Sequence, residues 1–399
     1  MDAGGADVAS DGFVLAVSPT HLTMDPGDSF PVTITLTRGA AFTDAVDVTI
    51  NGLNPPYLTA PATTTITGTS VIVQIALPQA PPSKTDLTLS FVGVATNGQT
   101  AMPAQLGVHV GSLLVVATAD TSLDIPSFAT SVLVKAWGAG GGGSVSITDT
   151  ATDFNGGSGG GGGFASGTVP VTGGETLAVW VGGGGPTNGN GGGLSALVRG
   201  SSPLVVAGGG GGAGLAFEVS KSGHCTFGGA NANGGAAGGG VTGESTSGAA
   251  ASGTADAGGA GGPMATNGSA LRGGSGGGVS SMDGGLHGGG SAGGSPSNCA
   301  ASGGGGGGGG WFGGGGGGYV LSTPGGGGGG GSGYVEPIGS QPVLTTGVGQ
   351  AVANATDADY ALDAGAGGSA GVWSCTPSCV QIAPTSGSGG LVVVRLTKP

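Results

Sequence analysis

GGGGGGGGWFGGGGGGYVLSTPGGGGGGGSGYV, residues 303–335, decides how the larger part of this chain is read. Such a stretch could be collagen, flexible linker or a folded glycine structure. Collagen needs Gly at every third position with abundant Pro, yet 303–310 and 325–331 are unbroken Gly. A linker would lack strong apolar strands beside its Gly and Ser. Here strand-forming runs feed straight into glycine. Val132-Leu133-Val134-Lys135-Ala136-Trp137 precedes GAGGGG, Thr176-Leu177-Ala178-Val179-Trp180-Val181 precedes GGGG, and Leu204-Val205-Val206-Ala207 precedes GGGGG. Later the order inverts, and glycine runs lead into Tyr319-Val320-Leu321 and Tyr334-Val335.

Ordered glycine has one physical solution that fits this pattern. In the left-handed, threefold polyglycine II helix no hydrogen bond closes within the strand, so every N–H and C=O points outward to a neighbour. Side chains would block that approach, and only Gly permits it. Ordering costs roughly 1–2 kcal/mol per residue, so an eight-glycine run costs on the order of 10 kcal/mol. Each hydrogen bond returns only ~1 kcal/mol net. An isolated run therefore stays disordered, whereas a fully paired bundle anchored by apolar strands breaks even. Trp137, Trp180 and Trp311 lie in or between the segments that would supply the anchor.

The blocks WGAGGGG (137–143), FASGTVPVTGGETLAVWVGGGG (164–185), LSALVRGSSPLVVAGGGGGAG (194–214), GGGVTGE (238–244), the 303–335 stretch, YALDAGAGG (360–368) and LVVVRL (391–396) follow one another in an order that resembles a known family. It is the glycine-rich domain in the ectodomains of anaplastic lymphoma kinase and leukocyte tyrosine kinase. The resemblance covers nearly all of 112–399. It implies a TNF-like β-sandwich with an inserted bundle of polyglycine II helices, but not signalling, because this chain holds no kinase region or membrane span. Glycine-rich adhesins at phage tail-fibre tips are similar in the helices rather than in the block order.

Only 11 of the 101 glycines fall within residues 1–111. From Phe13 to Val110 the chain instead alternates apolar and polar residues with period two, the mark of half-buried strands. The runs are Val32-Ile34-Leu36, Val46-Val48-Ile50, Val71-Val73-Ile75-Leu77, Leu87-Leu89-Phe91 and Leu106-Val108-Val110, separated by turn signals such as Asp25-Pro26-Gly27-Asp28, Asn51-Gly52, Gly68-Thr69-Ser70 and Asn97-Gly98. About seven short strands in this length predict an antiparallel sandwich. Residues 13–111, opening with VSPTHLTMDPGDSFPVTITLTR, resemble the bacterial Ig-like modules that serve as spacers in secreted proteins. With no Cys or Trp, they are not the antibody type. Residues 1–12 read as a flexible acidic tether. The expected fold is thus all-β plus polyglycine II: tether, Ig-like sandwich at 13–111, glycine-rich domain at 112–399.

Composition excludes several functions. The 399 residues carry 8 Lys+Arg against 21 Asp+Glu, a net charge of −13. Nucleic acids and anionic lipids, which bind through clustered cations, are unsuitable partners. No apolar run reaches the roughly 18 residues of a membrane helix. Met1-Asp2-Ala3-Gly4 lacks signal-peptide features, so the chain reads as mature or truncated, with any signal or lipid anchor outside it.

The four cysteines, Cys225, Cys299, Cys375 and Cys379, all lie in the glycine-rich part. Their even number, without the CxxC spacing of zinc sites, points to cystines and an oxidising compartment. Cys375 with Cys379 would close a tight loop, leaving Cys225 with Cys299; the other two pairings stay open. In the loop-entropy picture the longer pair would contribute roughly 4 kcal/mol.

No catalytic constellation emerges. GxGxxG matches arise by chance in such a sequence, and no GK pair exists for a P-loop. Gly156–Gly160 and Gly273–Gly277 satisfy GxSxG without the strand and helix of a nucleophile elbow. His21 and His109 are solitary in the sequence, and His224 and His287 sit in glycine-rich loops without a metal-spaced partner. Asp357, Asp359 and Asp363 could offer oxygens to Ca²⁺, but lack the glycine and distal Glu of an EF-hand. A solvated loop is the better reading, so no metal or cofactor is expected.

These features predict a non-enzymatic bacterial protein, secreted or anchored at the cell surface: an adhesin or ligand-binding head on an Ig-like spacer. Its partner would be an extracellular protein or a glycan, and Trp311, Phe312 and Tyr319 are the candidate binding surface, with capping and packing of the bundle as the equally weighted alternative for these rings. The alternative is a self-assembling subunit of a surface appendage or matrix, joined by strand edges.

Overall fold

The computed structural model describes residues 11–79, 86–144, 146–147, 154–214, 216–217, 233–235, 250–278, 281–284, 287–293, 303–319, 325–338, 340–375 and 379–398. Among them every regular element is a strand and none is a helix. The chain divides into two compact units, Met1–Leu114 with Leu396–Pro399, and Val115–Arg395.

The first unit is built from β1 (Phe13–Ser18), β2 (His21–Met24), β3 (Ser29–Arg38), β4 (Val46–Asn51), β5 (Thr63–Ile66), β6 (Ser70–Ala76), β7 (Asp86–Ala95) and β8 (Ala104–Val110). They form one sheet ordered β1-β3-β6 and another ordered β2-β8-β7-β4-β5. The alternation seen in the sequence becomes an inner face. Val32, Ile34 and Leu36 of β3, Val46, Val48 and Ile50 of β4 and Leu89 and Phe91 of β7 enter one shared apolar core. Asn51-Gly52 turns as expected: Gly52 has φ +89°, and a Cβ there would lie 2.4 Å from the Thr88 carbonyl oxygen. The β2–β8 pair is parallel, which the turn signals did not foretell.

Two findings alter the expected organisation. The last residues belong to the first unit, not to the glycine-rich one. Leu396 N–H donates to Ser112 O, and Lys398 Nζ lies 2.9 Å from Asp25 and 2.7 Å from Asp28. Burial opposes ionisation of Asp25, but Lys398 and the Ser112 N–H and hydroxyl outweigh it and hold the carboxyl down at about 2. His109 is also not solitary, since its Nδ1 lies 2.8 Å from Asp86. His21 is exposed beside Thr20. The tether, apart from Asp11 and Gly12, falls outside the described residues.

Strand β9 (Leu113–Ala117) leads into the second unit. There follow β10 (Thr121–Asp124), β11 (Ser131–Trp137), β12 (Ser146–Ile147), β13 (Phe154–Asn155), β14 (Phe164–Pro170), β15 (Thr176–Trp180), β16 (Ser195–Arg199), β17 (Ser202–Ala207), β18 (Ala216–Phe217), β19 (Tyr334–Val335), β20 (Ser340–Thr345), β21 (Val372–Cys375), β22 (Cys379–Ile382) and β23 (Leu391–Leu396). Two five-stranded sheets dominate, ordered β10-β15-β16-β17-β19 and β20-β14-β11-β23-β9, with smaller β12-β18 and β13-β21-β22 pairings. Two strands are buried on both faces over most of their length: Leu204 to Ala207, which lead into a glycine run, and Leu391 to Val394 of the last strand are at most 2% exposed. Between these strands run the glycine tracts.

Candidate binding surface

The tracts are held by a hydrogen-bond pattern of period three. In the run 303–310, Gly304 and Gly307 donate to Gly277 and Gly274, Gly305 and Gly308 to Gly326 and Gly329, and Gly306 and Gly309 to Gly189 and Gly192, all at 2.8–3.0 Å. Their carbonyls accept in the same rhythm: Gly304 and Gly307 from Gly293 and Gly290, Gly305 and Gly308 from Gly317 and Gly314, Gly306 and Gly309 from Gly212 and Gly209. Three successive residues thus face three different neighbours, and every third residue returns to the same one. None of these bonds closes within the run. The Cα positions are as crowded: a Cβ would meet a neighbouring carbonyl oxygen at 1.7 Å on Gly304, 1.8 Å on Gly306, 2.0 Å on Gly307 and 1.9 Å on Gly308. Any larger residue would push the runs apart and break their bonds.

The tracts reach the sheet through aromatic rings. Strand register places Trp180, Ala196, Val206 and Tyr334 in one row across β15, β16, β17 and β19. Residues paired in an antiparallel sheet share a face, so all four side chains stand on the same side. Ala196 and Val206 in the middle are 0% exposed. Leu271, Trp311 and the two end rings pack against them. Trp311 lies over Tyr334 with centroids 4.2 Å apart and planes 16° apart, and His287 lies over Trp180 at 4.7 Å and 20°.

Main-chain bonds fix these pieces. Leu271 N–H donates to Trp311 O, Trp311 N–H to Ser332 O and Ser332 N–H to Phe312 O, and Leu194 N–H donates to His287 O. Both Leu271 (φ 62°) and His287 (φ 53°) occupy the left-handed region that non-glycine residues avoid. The result is a closed floor with half-buried rings above it. Asp120 is exposed next to Trp180 and accepts the Val181 N–H at 2.7 Å, and Arg272 is exposed beside Leu271.

Of the residues the sequence singled out, Trp311 packs on this face and Phe312 stands edge-on to its ring with centroids 6.0 Å apart; both are half-buried. Tyr319 does not belong: at 3% exposure it is enclosed among glycine tracts, and it leaves the candidate surface. Tyr334, His287 and Leu271 were missed. The one sequence signal was that Trp180 closes a strand before one glycine run and Tyr334 opens a strand after another; their common row depends on register, which no local pattern reveals.

The calcium reading meets a different arrangement. Lys135 Nζ donates to Asp357 Oδ1 at 2.8 Å and Asp359 Oδ2 at 2.9 Å, and Arg395 grips both oxygens of Asp359. The Arg395 guanidinium, against the cost of burial and with the help of Lys135, holds Asp359 below the usual carboxylate range. Burial acts to lower Lys135, but the two carboxylates outweigh it and raise the ammonium above its ordinary value. Two of the three carboxylates are thus engaged by cations. Among the described residues no three His, Cys, Asp or Glu gather as a metal site.

Ser275 of one GxSxG match is buried with Oγ 3.1 Å from Thr266 Oγ1, and Ser158 of the other donates its N–H to Asn233. Cys225, Cys299 and His224 lie outside the described residues. Cys375 and Cys379 are opposite each other in the β21–β22 register, with side chains outside the described part. No protein-family model matches the chain, and no curated protein matches it.

Proposed function

We propose that this chain is a non-enzymatic extracellular binding module: an Ig-like β-sandwich spacer followed by a TNF-like sandwich carrying a polyglycine II bundle, as in the receptor ectodomains it resembles. The period-three hydrogen bonding around 303–310 carries this reading, because a threefold helix with outward-pointing N–H and C=O groups produces that rhythm. A bundle joined through its main chain is a stiff mount. The half-buried rings of Trp311 and Phe312 are the surface such a mount would present.

Self-assembly through strand edges has less support. Strand β20 is an exposed edge, with all six residues open to solvent. Pro342 removes a donor from it, and Gln341 at φ 57° interrupts its pairing with β14, both ways in which natural sheets blunt their edges.

The reading places the protein outside the bacterial cytoplasm, with its cysteines as cystines. Its test is binding of the immobilised full chain to purified extracellular matrix proteins and neutral glycans, beside light scattering on a sizing column. Saturable binding by a monomer supports it. A chain that binds neither class, or that elutes as open-ended oligomers, contradicts it.

A further inference from the structure

We infer that β9 is the interface of a closed dimer, in which it pairs antiparallel with the β9 of a second copy of this chain. The inference goes beyond the binding-module reading and does not rest on it.

The open edge comes from the backbone. Strand β9 ends its sheet, with β23 as its one neighbour among the described residues. Ser112 O, just before β9, accepts the Leu396 N–H at 2.7 Å, so the main chain of Ser112 faces β23. Main-chain groups of successive residues in an antiparallel strand alternate between its two sides. Leu113, Val115 and Ala117 therefore aim their N–H and C=O groups away from β23, where no described residue bonds to them. Such a row of unpaired donors and acceptors is a template for another strand.

The side chains of β9 do nothing to refuse one. Leu113-Leu114-Val115-Val116-Ala117 contains no charge, Pro or Gly. Leu113 is 47% exposed and Val116 50%, and an odd spacing puts the two on opposite faces. The other outer strands of the two large sheets are each blunted. Pro342 and Gln341 interrupt β20, β19 spans only two residues, and β10 carries the exposed Asp124 with Asp120 just ahead of it.

The occupant follows from complementarity. A partner edge must be uncharged and apolar on both faces, and β9 itself meets that description. Its copy also arrives already ordered by β23, whereas a loose peptide would lose conformational freedom on joining. A twofold axis at Val115 sets that residue opposite itself, and Leu113 opposite Ala117 of the second copy. Each of these three pairs exchanges two bonds, roughly six in all. Between them Val116 falls opposite Leu114 of the second copy, in the closer pairing where side chains touch. Both copies use the same edge, so the assembly closes at two.

The experiment is sedimentation velocity of the full chain from about 1 to about 200 μM, with hydrogen exchange of the 113–117 amides at both ends of that range. We expect the mass to rise from one chain to two and no further, and the outward amides of Leu113, Val115 and Ala117 to slow as it does. Val116→Lys places a charge against Leu114 of the second copy. Val115→Pro removes the central outward donor, at a position where an edge strand accepts Pro. Each folded variant is expected to weaken the dimer about tenfold or more. Should neither fold, the exchange of the unaltered chain still decides. A monomer at every concentration, a dimer whose 113–117 amides exchange as in the monomer, or a dimer that survives the folded variants overturns the inference. A monomer that binds a matrix protein or glycan overturns it and leaves the binding-module reading standing, whereas open-ended oligomers overturn both.

Discussion

Replacing Gly307 by Ala adds one methyl group at the centre of the glycine tracts. The new Cβ would lie 2.0 Å from Gly314 O and 2.6 Å from its carbonyl carbon. Non-bonded heavy atoms rest at ~3.5 Å or more, so the two runs must part by roughly 1.5 Å. That movement stretches the bonds Gly307 makes, its N–H to Gly274 O at 2.8 Å and its carbonyl to Gly290 N–H at 2.8 Å, and the neighbouring Gly314 N–H to Gly308 O at 2.9 Å. Overpacking costs ~1–3 kcal/mol, and the three weakened bonds together add about 2 kcal/mol. A loss of about 3–5 kcal/mol lowers the melting temperature by about 10 °C for a unit of this size. The matched control is Gly183→Ala, where an added Cβ meets nothing within 4 Å. That change should leave stability within about 1 kcal/mol of the unaltered chain, on the stabilising side through the unfolded state. Differential scanning calorimetry of both variants decides the matter. Equal melting of the two would refute the claim that contact between tracts, and not glycine content, holds the unit together.

Three further outcomes follow from the charged groups and the thiols. Lys135→Met strands Asp357, only 16% exposed, and leaves Asp359, 11% exposed, with Arg395 alone, and should cost about 2–4 kcal/mol in urea unfolding; a change under about 0.5 kcal/mol would show that the network adds nothing to stability. Asp25 is lowered from 3.8 to about 2 on folding, so its contribution is complete above pH 4 and disappears as pH falls toward 2. The effect is on the order of 2 kcal/mol, and the pH dependence of the first unit's unfolding should flatten in Asp25→Asn. Finally, alkylation of the unreduced protein followed by mass mapping should modify none of Cys225, Cys299, Cys375 and Cys379; one labelled cysteine would count against the oxidised, extracellular reading.

Local patterns made much of the architecture readable. Period-two alternation placed the inner faces of β3, β4 and β7, because one buried sheet face imposes that rhythm directly on the sequence. The unbroken glycine runs pointed to main-chain packing, since no side chain could otherwise order them. What escaped was whatever depends on pairing at long range. Lys135 meets Asp357 across more than two hundred residues, and an acidic loop therefore looked solvated when it is ion-paired. Tyr319, following a glycine run, could equally present its ring or pack the bundle; at 3% exposure it packs. Gly runs carry no register information, so the neighbours of each tract could not be assigned. Lys398, two residues past the last strand, gave no sign of joining Asp25 and Asp28.

The central claim is that the glycine tracts are rods cross-linked through their main chains. Native-state hydrogen exchange, read by mass spectrometry on peptides covering 303–319 and 325–331, tests it most directly. Each amide bonded to a neighbouring run should be protected to nearly the extent of β16 and β17, with slow exchange across the whole tract. Exchange of those amides at the rate of an unstructured glycine peptide, while β16 and β17 stay protected, would contradict the account.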